Sequence, residues 1–346
     1  MNTVEVELDA RAFSDWAMRE GWGDGLPCIP PTPELVDTYL TATFRGRDDV
    51  LARLLPSGAE CTVAHVAANA AMAGAPVGAM PLLCAAVEAI ARPSFNLAMQ
   101  NATTAAVVPA LIVNGPVRLD LDLPSGAGCL GGATGPAPAI GRALRLLVRN
   151  VAGQRVGTNS ESVYGQPARV SGLVVAEWEE RSPWPPLAER RGVPGSAVTA
   201  YGIMGTMNIV DRIAERADSL LEVIGKSVAF LGATAFMATS TADTPGEVAV
   251  AVNPVWATQV LAAQLPSIED VQQVLWDHAA LPIDWFPADH RAGVEATGRV
   301  EADGRVHLVA SPADVVLFVC GGTGSLHATG FSGYRNSLAS TVAVGG

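Results

Sequence analysis

The chain has little positive charge and contains a single lysine, Lys226. Its 22 lysine and arginine residues stand against 34 acidic residues, which leaves a net charge of −12. Because a nucleic-acid partner requires a basic face, we expect none here. Nearly all the basic residues are therefore arginine, whose planar guanidinium suits carboxylates and phosphates, although a GC-rich genome produces the same bias.

The chain also lacks long apolar runs and paired cysteine or histidine motifs. Its acidic N-terminus has no signal-peptide core, and no apolar run reaches the length of a membrane span, so we expect a cytoplasmic protein without a membrane partner. The five cysteines show no CxxC spacing, which favours free thiols. The histidines have no ligand spacing, so we predict no metal and no cofactor.

Length and composition favour a large folded protein. Hydrophobic residues make up 49% of the 346 residues and charged residues 16%, and this length favours two domains. The stiff proline-rich link around Trp184 is the candidate boundary. We therefore predict an α/β fold with a helix-rich N-terminal α/β lobe over 1–182 and a C-terminal α/β lobe over 183–346. Alternating strands and helices favour a mostly parallel sheet in the second lobe, and no internal repeat is visible.

Capping residues and apolar runs locate several elements. Thr32 before Pro33, and Thr62 before 63–73, are typical of helix starts. Apolar runs predict buried strands at 107–113 and 315–319. Helices are predicted over 138–151 and over 267–279, and a third along the stripe of Ile209, Ile213, Leu220 and Ile224.

The loop over 125–136 is the most informative segment, because it places Cys129 among five glycines directly before a predicted helix. Glycines let backbone amides approach a ligand, and a helix N-terminus carries partial positive charge. Such a setting lowers the pKa of a thiol, so Cys129 is the candidate nucleophile. The alternative is a small residue in a glycine turn. The glycines expected to bind an anionic substrate are Gly128, Gly131 and Gly132.

Arg142 lies one turn into the helix that follows this loop. Its guanidinium is placed to complete the anion site with a bidentate bond to a carboxylate. Arg145 and Arg149 share its helix face, so the alternative is an ordinary solvated arginine stripe.

A second glycine-rich loop follows the apolar strand over 315–319 and begins at Cys320, a possible second thiol. Ligands of open α/β sheets bind at the carboxyl ends of strands, so we expect this loop to face the Cys129 loop across a cleft. The predicted substrate contacts are Gly322, Thr323 and Ser325. His327 is a candidate proton-transfer residue, or else a hydrogen-bonded structural histidine. The segment lacks the ending of a P-loop.

The segment over 22–28 holds two further candidates. Asp24 lies between two glycines and is either a general acid or base or a turn former. Cys28 precedes Ile29-Pro30-Pro31 and is another possible second thiol for the same pocket. Cys61 and Cys84 lie in helical apolar patterns typical of core residues.

Several short segments, spread over most of the chain, together carry a resemblance to a known family. They are Gly25-Leu26-Pro27, Pro30-Pro31-Thr32, Ala73-Gly74, Asn114-Gly115-Pro116, Ile140-Gly141-Arg142-Ala143, Arg149-Asn150, Trp184-Pro185-Pro186-Leu187 and Asn253-Pro254. Together they resemble an uncharacterised bacterial family associated with the UGSC group, which comprises selenoprotein or cysteine-containing relatives of the glycine reductase B subunit, described as oxidoreductases. The resemblance implies a soluble enzyme or enzyme subunit beside a smaller thiol or selenol partner. No catalytic residue carries over, and the selenocysteine motif does not occur in this chain.

These patterns predict a thiol-dependent enzyme that acts on a small anionic substrate by lyase, transferase or oxidoreductase chemistry. We expect a homo-oligomer. The alternative is a non-catalytic subunit in a hetero-oligomer with a small thiol or selenol protein.

Overall fold

The computed structural model describes residues 9–238 and 240–345. These residues form an α/β fold around a mixed seven-stranded sheet, with two smaller two-stranded sheets. The strands are β1 (Val50–Leu54), β2 (Ala59–Thr62), β3 (Val108–Asn114), β4 (Leu173–Ala176), β5 (Ala197–Val210), β6 (Val248–Val252), β7 (Ala280–Pro282), β8 (Arg305–His307), β9 (Val315–Val319), β10 (His327–Gly333) and β11 (Ser340–Ala343). The two-stranded sheets pair β1 with β2 and β7 with β8, both antiparallel.

Helices pack on the outer face of the sheet. They are α1 (Ala10–Arg19), α2 (Pro33–Leu40), α3 (Val63–Ala73), α4 (Met80–Ala91), α5 (Leu97–Ala102), α6 (Val117–Asp120), α7 (Ala137–Asn150), α8 (Ala168–Ser171), α9 (Leu187–Arg190), α10 (Ala217–Val228), α11 (Pro254–Trp256), α12 (Ala262–Gln264), α13 (Ile268–His278) and α14 (Ala288–Ala296). A π-helical turn (Ala257–Leu261) joins α11 to α12. Short 3-10 turns lie at Val77–Ala79, Pro93–Phe95, Glu179–Arg181, Thr234–Met237, Ile283–Trp285 and Pro312–Asp314.

The sheet has the strand order β4-β3-β5-β10-β6-β9, and β11 also pairs with β5. Within it, β3 with β4 and β6 with β9 pair in parallel, while the other pairs are antiparallel. Parallel neighbours need a crossover helix, and α7 and α13 provide one for each parallel pair. After β4 and after β9 the chain runs back as β5 and β10, which pair antiparallel with β3 and β6. The prediction of a mostly parallel sheet is therefore not confirmed.

The pairing pattern repeats about the central β5–β10 pair, although no repeat is visible in the sequence. Each half contains a parallel β-α-β unit and a third strand that returns beside the first: β3, β4 and β5 correspond to β6, β9 and β10. The residue after each second strand makes the same bond: Glu177 N donates to Val113 O, and Cys320 N donates to Val252 O, both at 3.1 Å. Glu177 and Cys320 thus occupy equivalent positions.

The sheet curls until its two edge strands meet at their carboxyl ends. The amide of Trp178, just beyond β4, donates to the carbonyl of Val319 in β9 at 2.7 Å. Side chains on the concave face, among them Ile112, Tyr201 and Phe318, form an internal core that includes both Cys129 and Cys320. Since one sheet contains strands from both sides of residue 183, the two-lobe layout is not confirmed, and the boundary itself stays a prediction.

The capping predictions and one helix prediction have different outcomes. The side chains of Thr32 and Thr62 accept bonds from Leu35 N and His65 N at the starts of α2 and α3, as predicted. The prediction of a helix along Ile209, Ile213, Leu220 and Ile224 is wrong at its start, at Ile209. That residue pairs with Ala328 in the sheet, and the helix begins only at α10.

In the described part of the chain, no single helix is long and apolar enough to cross a membrane. One pair of consecutive helical segments, Val77–Ala91 and Pro93–Ala102, has the length and apolar composition of a membrane span when the two are taken together, but the pair is bent by 71°. Most of its side chains lie in the core.

Helix α7 packs against the backbone before β4 with almost no separation. A Cβ built on Gly141 would lie 2.5 Å from Ser171 O, and one on Gly172, at φ +63°, would lie 2.5 Å from Gly141 O. Close-packed interiors resist even one added methyl group, so this contact tolerates glycine alone.

We predict that Gly141→Ala lowers the free energy of unfolding by about 1–3 kcal/mol, despite the higher helix propensity of alanine. Urea denaturation followed by circular dichroism measures this. Gly205→Ala is the matched control, because no atom lies within 4 Å of its added Cβ. Equal stability of the two variants would show that α7 moves away at no cost.

Candidate thiol site

The two glycine-rich loops meet at the end of the curled sheet where β4 and β9 converge. Gly321 N donates to Ser125 O at 2.8 Å, which ties the loops together. A Cβ on Gly322 would lie 3.2 Å from Ala127 Cβ, so the loops are also in close van der Waals contact. The structure therefore brings together two segments that lie far apart in the chain.

This contact places the side chains of Cys129 and Cys320 within hydrogen-bonding reach of each other. Both cysteines are free thiols, with only 5% and 4% of their surface exposed. The site is thus a buried pair of interacting thiols within one hydrophobic cluster.

The two thiols differ in proton affinity. The hydrogen bond from Cys320 lowers the pKa of Cys129; burial opposes this, and bonds from the backbone amides of Gly321, Cys129 and Leu130 reinforce it. The same bond raises the pKa of Cys320 well above its usual value, together with burial and the charges of Cys129 and Glu177. Of the two thiols, Cys129 is therefore the one that loses its proton first.

Glycine is needed for the loop to wrap its amides around the sulfur. The carbonyl of Gly128 accepts from both Gly131 N and Ala133 N, which closes a tight turn that contains Cys129. Gly128, Gly131 and Gly132 have φ values of 75°, 148° and 92°, in the region that strongly favours glycine. The predicted substrate-binding glycines thus shape the environment of Cys129.

A buried carboxyl group lies beside the thiol pair. Glu177 is 1% exposed and accepts from Asn114 Nδ2 at 2.6 Å and from Leu187 N at 2.8 Å. Burial raises its pKa, against these hydrogen bonds and the charge of Arg190. Sequence reasoning missed Glu177. The available signal was a polar residue directly after an apolar strand, the same feature that singled out Cys320.

A small cavity of about 110 Å³ adjoins Cys129. A water molecule needs roughly 10–15 Å³ of such a volume, so the space admits a ligand of several non-hydrogen atoms. Its walls are the loop, the first turn of α7 and the start of β4: Pro124, Gly128, Cys129, Leu130, Gly131, Ala133, Ala137, Pro138, Ser171, Gly172, Leu173 and Val174.

Arg142 and Asp24 lie together, but away from this cavity. The Arg142 guanidinium donates to both Asp24 carboxylate oxygens at 2.7 and 2.8 Å, and also to the carbonyls of Pro27 and Leu26. A guanidinium engaged in this way is not free to bind an anionic ligand, so the geometry favours a structural role. Asp24 also accepts from Leu26 N, as its turn-forming alternative predicts.

Cys28 does not face the thiol pair. It packs in a separate core with Phe13, Met72 and Leu146, and its sulfur accepts from Arg142 at 3.4 Å. Burial is the main cause that raises its pKa.

The remaining predicted residues of the second loop, Thr323, Ser325 and His327, are exposed. Thr323 lines a different cavity of about 350 Å³, together with Glu180 and Pro254. His327 begins β10, and its carbonyl accepts from Asn253 Nδ2 at 2.8 Å. None of the hydrogen bonds described involves its imidazole, so its proton-transfer role stays a prediction.

Cys61 and Cys84 are core residues, as predicted, but only Cys84 lies in a helix, because Cys61 belongs to strand β2. Burial raises the pKa of Cys61 to about 12 and that of Cys84 to about 11. Within the described ranges, no group of three or more His, Cys, Asp or Glu side chains is arranged to hold a metal ion.

The fold and site thus define an α/β protein with an asymmetric thiol pair beside a small cavity. Comparisons of the chain with protein-family models, curated proteins and solved structures found no match. The resemblance to the UGSC group stays a prediction, and the function is argued from geometry.

We predict that iodoacetamide labels Cys129 before any other cysteine, with a rate that rises with pH about a midpoint below the free-thiol pKa of about 8.5. The reason is the lowered pKa of Cys129 beside raised values for Cys28, Cys61 and Cys84. Peptide mass spectrometry of samples labelled at several pH values measures this. Faster labelling of Cys61 or Cys84 would contradict the assignment.

Removing the donor on Cys320 tests the pair itself. Cys320→Ala should move the midpoint of Cys129 labelling to higher pH, because the thiolate loses its largest stabilising bond. Cys320→Ser keeps an O–H donor, so its midpoint should lie closer to that of the wild type. Equal midpoints in all three proteins would show that the amides alone stabilise the thiolate.

Proposed function

We propose that the protein is a thiol-dependent enzyme in which Cys129 attacks a small anionic substrate bound in the adjoining cavity. The observation that carries this proposal is the asymmetric thiol pair, in which a neighbouring thiol and three backbone amides lower the pKa of Cys129 while the pKa of Cys320 is raised. Structural cysteines in apolar cores have raised pKa values, as Cys61 and Cys84 do here, whereas nucleophilic cysteines require the opposite shift.

The anionic character of the substrate is supported by the wall of the cavity. Ala137 and Pro138, the first residues of α7, line it, and no side chain caps this helix start. A fourteen-residue helix carries partial positive charge at its N-terminus. A carboxylate or similar group in the cavity would meet this charge.

Cys320 supplies a proton in this proposal. While Cys129 is a thiolate, its negative charge keeps the proton on Cys320. Once Cys129 forms a covalent bond, that charge is gone, and the pKa of Cys320 falls. Cys320 can then protonate the leaving group, as a general acid whose proton affinity changes during the reaction.

Among the three reaction classes, the contact between two sulfurs favours oxidoreductase chemistry on a small disulfide. The Cys129 thiolate attacks one substrate sulfur, the sulfur–sulfur bond breaks, and the leaving thiolate takes the Cys320 proton. The Cys320 thiolate then attacks Cys129 Sγ and releases the second thiolate, which takes a proton from solvent. The substrate gains two electrons, the protein keeps a Cys129–Cys320 disulfide, and an external dithiol restores it.

The test exposes reduced protein to cystine, a small disulfide with carboxylates, and analyses it by mass spectrometry. We predict a Cys129–Cys320 disulfide in the wild type, a trapped cysteine adduct on Cys129 in Cys320→Ser, and no adduct on Cys320 in Cys129→Ser. Cys84→Ser is the matched control and should behave as the wild type, because Cys84 lies in the separate helical core.

The outcomes separate the alternatives. Fast alkylation of Cys129 without disulfide formation would assign the site to lyase or transferase chemistry. Five inert cysteines would contradict the enzyme proposal and favour the non-catalytic subunit. The homo-oligomeric state and the cytoplasmic location stay predictions.

A further inference from the structure

Arg145 is buried in α7, two turns beyond the cavity wall at Pro138. Only 6% of its surface is exposed, so the sequence-based alternative of a solvated arginine stripe is wrong at this position. The reason is the loop over 151–167, which folds back over this face of the helix and contributes Gln154.

The hydrogen bonds around Arg145 leave several donors unused. Its Nε donates to Arg169 O at 3.1 Å, and its Nη2 donates to Gln154 Oε1 at 2.5 Å. Arg169 donates through its two Nη atoms to Ser160 Oγ and Ala105 O. Three buried nitrogens in this cluster have no hydrogen-bond partner among the residues that the structure describes: Arg145 Nη1, Arg169 Nε and Gln154 Nε2. All three are donors, so the cluster lacks acceptors.

The cluster also lacks negative charge. Within the described ranges, neither Arg145 nor Arg169 takes part in an ion pair. Burial, with the like charges of Arg169 and Arg149, lowers the pKa of Arg145 to about 9. Burying an unpaired charge is costly, and folded proteins normally supply a partner.

We propose that Arg145, Arg169 and Gln154 form a binding site for a small oxyanion of the phosphate or sulfate class. Such an ion supplies the missing negative charge and accepts the three unused donors. The donors come from three separate segments, α7, the loop after it and α8. An acceptor whose oxygens point in several directions fits such a set better than a planar carboxylate does.

This site is separate from the thiol cavity. Gly141 lies between Pro138 and Arg145 on the same face of α7, and the backbone at Ser171 and Gly172 packs directly against it. That backbone also forms one wall of the cavity. An oxyanion bound to Arg145 and Arg169 would therefore hold α8 and this wall against α7 without touching Cys129.

The experiment measures bound anion and thermal stability in the wild-type protein. Protein dialysed into a chloride buffer is denatured, and released phosphate and sulfate are assayed. The same protein is then melted with increasing phosphate, sulfate or acetate at constant ionic strength. We expect either released phosphate or sulfate, or a Tm that rises with phosphate or sulfate and saturates, because a ligand that binds the folded state alone stabilises it.

Variants locate the effect. Arg145→Gln and Arg169→Gln should each weaken anion binding by roughly ten- to hundredfold, the effect of losing one hydrogen bond to a charged group. Arg155→Gln is the matched control, since it removes an exposed positive charge from the same region and should leave the response intact. If Arg145→Gln does not fold, the response of Tm to phosphate and sulfate is measured in Arg169→Gln and Gln154→Met instead.

Three results would overturn the proposal. One is a wild-type protein that neither releases phosphate or sulfate nor gains stability from them. Another is an equal rise in Tm with acetate, which would indicate a general effect of anions. The third is an unchanged response in the Arg169 and Gln154 variants. Each leaves the thiol proposal intact, because alkylation of Cys129 is measured independently.

Discussion

The hydrogen bond from the Trp178 amide to the Val319 carbonyl is the contact on which the site depends. It joins the carboxyl ends of strands β4 and β9, which lie at opposite edges of the sheet order and meet because the sheet is curled. The residues next to this bond are Glu177 and Cys320. The bond between Gly321 and Ser125 then adds the loop that carries Cys129. Without the curl, the two sulfurs would belong to opposite ends of a flat sheet.

Burial determines how charge is distributed once these groups meet. The two thiols and the carboxyl group of Glu177 cannot all ionise in a space that excludes water, because each buried charge raises the free energy needed to ionise the next group. The Cys320 side chain and then the backbone amides lower the pKa of Cys129, whereas the pKa of Cys320 is raised, so a negative charge is less costly on Cys129 than on Cys320. Elsewhere in the molecule, Arg142 meets Asp24 and forms a satisfied pair that ties the segment after α1 to α7.

The two halves of the sheet use the same positions for different purposes. Asn114 is the last residue of β3, and Asn253 directly follows β6, the first strand of the other half. The first donates to the carboxylates of Glu177 and Glu179, whereas the second caps α11 and binds the carbonyl of His327. Glu177 and Cys320 likewise occupy one position in the two halves. The topology therefore repeats while the chemistry at its strand ends does not, which explains why the repeat escapes a reading of the sequence.

Sequence alone determined the features that depend on residues a few positions apart. Thr32 and Thr62 cap their helices, the run over 315–319 forms a strand with those bounds, and the glycines around Cys129 form a tight turn. Backbone conformation and capping are local, so such patterns are sufficient. Only the tertiary structure decided the direction of the strands, the pairing of Cys129 with Cys320, and the burial of Arg145. These depend on contacts between distant segments, such as the bond between Arg142 and Asp24 across 118 residues. No local pattern specifies which of several polar side chains will meet inside the fold.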